Sequence, residues 1–468
     1  MKLKSLTILS CILLTGCSKS PETNPEILWD TFGVPHIYAD NYNDLFYAYG
    51  WSQMRNHGNL LLKLYAQARG QGAEYFGEKH LKSDQWVHTH NVMQRSRDWW
   101  EKQDPDIQKM MTAFTDGIND YAKENPDEID ELNQLILPAR PEDCFSHFQR
   151  VILFHFVTNP SVATFNPASM IKDRGSNTWA IGPSRSESGN AMLIANPHLP
   201  WSDMFTWFEA HTISHDLNAY GAGLVGMPFL GIAFNDYMGW SHTNNVHDGQ
   251  DLYELTLKGD GYKWGEEVLQ FEERSVEIKV RDDEGNTSAS EFLIRESVHG
   301  PVVSEKDGKA YALRVVGLDQ PHVFRQYFDM ARAKTLKSFQ DAIRPLQNPF
   351  FTIMYADKDG HIMHVFGGRT PIRPAGDWNW LGVVPGNSPE TIWNETHSYD
   401  ELPKSIDPES GWLQNANDPP WTTTFPRAII RKNYPDYMSQ NFMHFRAQRS
   451  ARMALEDGSI TFAELMDY

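Results

Sequence analysis

The sequence predicts an α+β protein in which a mostly helical first third gives way to antiparallel sheet. Two periodicities and one shift of composition carry that prediction. Over residues 43–69 the apolar positions Leu45, Phe46, Ala48, Tyr49, Leu60, Leu61 and Leu64 recur at helical spacing, and Gly70 and Gly72 stop the pattern. Over 106–137, Met110, Met111, Phe114, Ile118, Tyr121, Leu132 and Leu135 repeat with a period near 3.6, again one face of helix. After Ser176 the apolar runs shorten to 178–181, 191–195 and 205–213, rich in aromatic and β-branched residues and separated by Gly, Pro, Ser and Asn, which reads as strands.

From 253 to 316 the alternation continues, with turn signals at Gly259-Asp260-Gly261, Asp282-Asp283-Glu284-Gly285 and Asp307-Gly308. A helix is expected again at Leu336–Ile343. Repeats and low-complexity tracts are absent from the sequence, and the change near residue 175 is its one sharp internal boundary.

Composition narrows the function classes. In 468 residues, 40% are hydrophobic and 15 are Trp, enough for a packed core and an apolar pocket besides. The formal charge of -19 argues against a nucleic-acid partner, which needs clustered Lys and Arg to displace counterions from phosphates. Residues 1–16 have the layout of a secretory signal, with Lys2 and Lys4 ahead of an apolar stretch from 6 to 14. Leu14-Thr15-Gly16-Cys17 matches a bacterial lipobox, so Cys17 is expected to carry lipid, a reading preferred to an ordinary signal peptide with a chance Cys. Residues 17–26 then read as a tether, and the protein is expected in the bacterial periplasm, lipid-anchored to a membrane, the outer one by preference. Cys11 leaves with the signal, so Cys144 is the one thiol left and no internal disulfide is expected.

The chemistry centres on Arg174-Gly175-Ser176-Asn177-Thr178-Trp179. By local physics Gly175-Ser176 is an ordinary turn. Its surroundings are not ordinary: Ser176 to Ile181 is followed by Gly189 and by Asn196-Pro197-His198-Leu199-Pro200-Trp201. Upstream stands Trp29-Asp30-Thr31-Phe32-Gly33-Val34-Pro35-His36-Ile37, and downstream Gly239-Trp240-Ser241-His242-Thr243-Asn244-Asn245. Tyr355-Ala356-Asp357 with Gly360, Gln414-Asn415-Ala416-Asn417-Asp418-Pro419 and Phe445-Arg446-Ala447-Gln448-Arg449-Ser450 complete the set. In this order the segments resemble the penicillin acylase family of N-terminal nucleophile hydrolases, and the resemblance covers most of the chain.

That resemblance implies an αββα sandwich of two antiparallel sheets between helical layers. It implies self-cleavage between Gly175 and Ser176 into an α/β heterodimer: a first subunit of 27–160, a possible spacer of 161–175, and a catalytic second subunit of 176–468. The second subunit normally continues further in the family, so the 468-residue chain is expected to be incomplete at its C-terminus. The implied reaction is hydrolysis of a linear carbon–nitrogen amide bond in a small molecule: an acyl-homoserine lactone, a lipopeptide or a β-lactam side chain. Ser176 would be the nucleophile, and its freed α-amino group, with an ordinary pKa of about 7.7–8.0, the base.

The backbone N–H of Asn244 and the side-chain amide of Asn417 are the implied oxyanion donors. His198 matches the branch of the family that has His there, as acyl-homoserine-lactone, aculeacin and cephalosporin acylases do; a structural His between Pro197 and Pro200 is the alternative. Arg446 matches the family arginine that positions the oxyanion Asn and the amine, with Arg449 and Arg452 close enough to leave the register open.

No cofactor is expected for catalysis. Asp248 and Asp251 stand where penicillin acylases bind a structural calcium, but two carboxylates are not a site, and hydrogen-bonded aspartates are the preferred reading. Trp201, Met204, Phe205 and Trp207 could line an acyl pocket or fill a sheet's core, with core preferred. Two other functions compete. A catalytically inactive surface lipoprotein would bind acylated ligands through the same pocket, whereas a Ser-His-Asp hydrolase would need a Gly-x-Ser-x-Gly elbow that Ser176 lacks.

Overall fold

The computed structural model describes residues 25–164, 175–439 and 441–467. The expected signal peptide, Cys17 and most of the expected spacer lie outside the described residues. Two sheets are stacked face to face, with helices on both outer sides. The larger has nine strands in the order Glu26–Trp29, Pro35–Tyr38, Trp207–Ser214, Leu217–Leu224, Ile232–Asn235, Met238–Thr243, Thr352–Asp357, Ile362–Val365 and Lys404–Ile406. It is antiparallel except where His36 to Tyr38 run beside His211 to Ile213. The smaller has the strand Gly175–Ile181 at its centre, flanked by Trp412–Asn415 and Met192–His198.

The strand alternation assigns each face. Ala180 and Leu413 point to the larger sheet, against Met354, Ala356 and Ile362. Their neighbours Trp179, Ile181 and Trp412 point the other way, onto Ala451, Ala454 and Leu465 of the helices Phe445–Glu456 and Phe462–Asp467. The far face of the larger sheet is covered by the helices Tyr42–Ala68 and Val323–Arg332. This is the predicted αββα sandwich.

The helical first segment is held by a close crossing. A Cβ on Gly50 of Tyr42–Ala68 would lie 2.0 Å from the carbonyl oxygen of Phe114, and one on Gly117 of Pro105–Glu124 would lie 2.0 Å from that of Tyr47. Only glycine lets the two backbones meet there.

Several elements differ from expectation. The periodic stretch 106–137 is one helix to Glu124, then a turn at Pro126–Glu128 and a short helix Glu131–Gln134, because Pro126 has no N–H to continue the ladder. The first segment also contributes the two edge strands Glu26–Trp29 and Pro35–Tyr38, and the helix Val323–Arg332 was not anticipated. Residues 250–315 form most of a further eight-stranded sheet, completed by Val383–Pro385. Its turns fall at the expected places, with positive φ at Gly259, Gly285 and both Asp307 and Gly308. Among the described residues no helix is long and apolar enough to cross a membrane.

Candidate active site

Ser176 is the second residue of the central strand of the smaller sheet and is 4% exposed. The Gly175–Ser176 peptide is intact, and the Ser176 hydroxyl donates to the Gly175 carbonyl oxygen at 2.7 Å. The Ser176 N–H donates at 2.8 Å to Oδ1 of Asn417. The Ser176 hydroxyl and the carbonyl of the preceding peptide are thus in direct contact.

Asn417 sits in left-handed backbone, φ +68°, a conformation Asn tolerates better than most residues. Its loop is tied by neighbours. The Asn417 N–H donates to Asn415 Oδ1 (3.0 Å), and the Ala416 N–H to Asp418 Oδ1 (2.8 Å). Asp418 also accepts from Thr422 Oγ1 (2.5 Å) and Gln414 Nε2 (2.8 Å), and Thr243 Oγ1 donates to Asn415 Oδ1 (2.6 Å). Two donors, Ser176 N–H and Arg446 Nη2 (2.6 Å), converge on Asn417 Oδ1, which identifies that end of the amide as oxygen. Asn417 Nδ2 donates to the Asn244 carbonyl at 3.0 Å, and an amide nitrogen has a second hydrogen to give.

Arg446 stands in the first turn of its helix. Nη1 donates to the Ser176 carbonyl (2.6 Å) and to Asn177 Oδ1 (2.5 Å). All its hydrogen-bond partners are dipoles, and burial lowers its pKa, partly countered by the charge of Asp418. Arg446, not the exposed Arg449, meets Ser176.

His198 pairs across the sheet with Gly175, and its Nε2 lies 3.4 Å from Asn177 Nδ2. Desolvation, then the Arg446 charge, holds its pKa below the usual 6.5, so the ring is neutral near pH 7. A Cβ on Gly175 would come within 3.1 Å of Arg446 Nη2, 3.2 Å of Asn417 Oδ1 and 3.3 Å of His198 Nδ1. Three groups crowd the space that a side chain at position 175 would take.

Beside Ser176 lies a small, mostly apolar cavity of about 50 Å³. Phe148, Ile152 and Phe156 of the first segment line it with Met227, Phe229 and Phe351, and Ser176 and Asn244 stand at its polar end. Of the four expected pocket residues Trp207 lines it, Phe205 is buried against His155 and Phe156, Met204 packs on the core, and Trp201 is fully exposed.

Asp248 and Asp251 lie apart from this site, joined by Arg373. Its guanidinium is 3.0 Å from Asp248 and 3.1 Å from Asp251, and it also donates to the carbonyls of Asp248 and Gln250. Trp393 Nε1 completes the shell on Asp251 at 2.7 Å. This set does not fit a calcium ion, since a guanidinium already bridges the carboxylates. Among the described residues no group of three His, Cys, Asp or Glu side chains is placed to hold a metal.

The structure therefore brings together Gly175, Ser176, His198, Asn244, Asn417 and Arg446, and separates Asp248 and Asp251 from them. Asn177, Thr243, Asn415 and Asp418 were not singled out from the sequence, although each lies in a segment already noted. Short polar side chains beside a left-handed Asn were the available signal.

The Penicillin amidase family model matches residues 24–468. Acyl-homoserine lactone acylase PvdQ of Pseudomonas savastanoi pv. phaseolicola is 26% identical over 89% of this chain and 61% of its own length. Acyl-homoserine lactone acylase QuiP of Pseudomonas aeruginosa is 23% identical over 92% of this chain and 58% of its own. The chain thus spans about six-tenths of the length of these relatives. The thermostable penicillin G acylase from Alcaligenes faecalis has the same fold, with a TM-score of 0.54 at 23% identity over 62% of this chain and 51% of that one. Matched along nearly all its length and folded as the sandwich its motifs imply, the chain belongs to the penicillin amidase family.

Proposed function

We propose that the protein is a self-processing acylase that hydrolyses linear N-acyl amides through an acyl-enzyme on Ser176. The observation that carries this reading is the 2.7 Å contact between the Ser176 hydroxyl and the Gly175 carbonyl, beside an apolar cavity that Ser176 itself lines. Attack of Oγ on the Gly175 carbonyl carbon forms a C–O bond, and collapse breaks the Gly175–Ser176 C–N bond, moving the acyl group from nitrogen to oxygen. Water then hydrolyses the ester, leaving a carboxylate on Gly175 and a free amine on Ser176.

In turnover the neutral amine takes the Ser176 proton as Oγ attacks the substrate carbonyl. Charge developing on the carbonyl oxygen is met by the Asn244 N–H and the second Asn417 N–H. The amine product leaves, and water releases the acid. Arg446 orients Asn417 and Ser176, and its positive charge favours the neutral form of the amine.

The apolar cavity suits an acyl chain, and the acyl-homoserine lactone acylases among the relatives make such lactones the first substrates to try. By the same reading the working form is an α/β heterodimer, held in the bacterial periplasm by lipid on Cys17, and Arg373 takes the charge-balancing place that a calcium ion holds in penicillin acylases. Mass spectrometry of the purified protein, with N-terminal sequencing, tests the mechanism. Two chains are expected, the second beginning at Ser176, and Ser176→Ala should remain one inactive chain. An intact single chain that hydrolyses amides would overturn it.

A further inference from the structure

The two donors assigned to the oxyanion come from different sheets, so their spacing depends on how those sheets are joined. Asn244 directly follows the strand Met238–Thr243 of the larger sheet, and Asn417 comes two residues after the strand Trp412–Asn415 of the smaller. The side chains that end the two strands meet: Thr243 Oγ1 donates to Asn415 Oδ1 at 2.6 Å. The same oxygen accepts the Asn417 N–H at 3.0 Å, and Asn415 Nδ2 donates to the Asp418 carbonyl at 3.3 Å. Thr243 is fully buried and Asn415 is 1% exposed, so the link between them lies out of reach of solvent.

The neighbour on the other side of Asn244 does not cross between sheets. Asn245 Nδ2 donates to the Gly367 carbonyl, just past the strand Ile362–Val365 of the larger sheet itself. Asn417 Nδ2 does cross, to the Asn244 carbonyl at 3.0 Å, but that amide is the very group that has to be held in place. We propose that Thr243 is a positioning residue for the oxyanion hole: its hydroxyl, bound to Asn415, fixes the spacing between the Asn244 N–H and the Asn417 amide so that both meet one oxygen. The proposal rests on the reading of Ser176 as the acylated nucleophile served by these two donors. Its force comes from the steep dependence of rate on geometry, since a misplacement of about 1 Å can cost about a hundredfold. A methyl in place of the hydroxyl keeps the volume of Thr243 but leaves Asn415 Oδ1 facing an apolar group.

Kinetics on a decanoyl anilide test it in wild type, Thr243→Val, Thr243→Ser, Asn415→Ala and the double variant Thr243→Val/Asn415→Ala, each rate divided by the fraction of chain cut before Ser176. Thr243→Val should lower kcat about ten- to a hundredfold and leave KM within about twofold, as expected of an interaction that matters only in the transition state. Asn415→Ala should do the same, and Thr243→Ser, which keeps the hydroxyl, should retain most of the rate. The double variant should be no slower than the slower single one, because both changes remove the same link. Decylboronic acid, whose boron bonds to the Ser176 oxygen and becomes a tetrahedral anion as the Ser proton passes to the amine, should bind more weakly to Thr243→Val by the same factor as kcat falls. Rates and boronate affinity unchanged by Thr243→Val, a loss in Thr243→Ser equal to that in Thr243→Val, or losses that add in the double variant would overturn the proposal. A wild type that hydrolyses no amide yet binds the boronic acid more tightly than Thr243→Val does would support the assignment of Thr243 and refute the acylase reading instead. An inert wild type whose boronate affinity ignores Thr243 would overturn both.

Discussion

Two arginines organise the polar interior of this protein, and they are used in opposite ways. Arg373 faces two carboxylates and two carbonyls, and its charge is used in holding strand Gln250–Lys258 to the loop between the strands Ile362–Val365 and Lys404–Ile406. Arg446 bonds only to dipoles, the oxygens of Ser176, Asn177 and Asn417, so its charge remains as a field over the Gly175–Ser176 peptide. Pairing with carboxylates makes a support; pairing with dipoles alone leaves electrostatic work available at a neighbouring atom.

The comparison predicts separable losses. The largest effect is expected from Ser176→Ala, which should abolish both processing and turnover while leaving the melting temperature close to that of the uncleaved parent. Next, Arg373→Met should leave Asp251 buried without its counter-ion and cost about 3–5 kcal/mol of stability in denaturant titrations. Stability unaltered by that change would remove the distinction between the two arginines. Chelators should change neither stability nor rate if the guanidinium does the work of a cation.

Asn417→Ala should reduce turnover about a hundredfold or more, read as kcat, with a smaller change in stability than Arg373→Met. Arg446→Gln sharpens the comparison through pH. The base must be neutral, so the rate rises as pH rises through the amine's pKa, which a nearby cation depresses from about 7.7–8.0. Removing that cation should move the rising limb of kcat/KM to higher pH. An unmoved limb would show that the Arg446 field does not reach the amine. The smallest effect is expected from Gly175→Ala, which should slow self-cleavage by forcing Arg446 Nη2, Asn417 Oδ1 and His198 Nδ1 outward by a few tenths of an ångström.

How much of this was legible in the sequence depended on range. Turns at Gly259, Gly285 and Asp307-Gly308 and the helix Leu336–Ile343 follow from residues within a few positions of one another. The site's six residues were recognisable because each stands in a motif, but motif order says nothing about which way Asn417 turns its amide; that depends on Ser176, 241 positions away. Arg373 was missed for the same reason, being 122 positions from Asp251. The core reading preferred for Trp201, Met204, Phe205 and Trp207 holds for Met204 and Phe205 but not for Trp201, which is exposed, because alternation marks a face without saying whether a helix, a cavity or solvent lies against it. Phe148, Ile152 and Phe156, which line the cavity, lie on the preceding helical segment and carried no mark.

The segment before Ser176 supplies the edge strands Glu26–Trp29 and Pro35–Tyr38 as well as that cavity wall. A cut after Gly175 would thus sever the covalent thread without dividing the folded object. Each fragment expressed alone would be an unfinished surface: one would lack the groove's floor, the other the sheet on which to lay its strands. Maturation would create a new chain end within a body whose two fragments are already interlocked, and mixing separately made fragments should succeed only if they fold together.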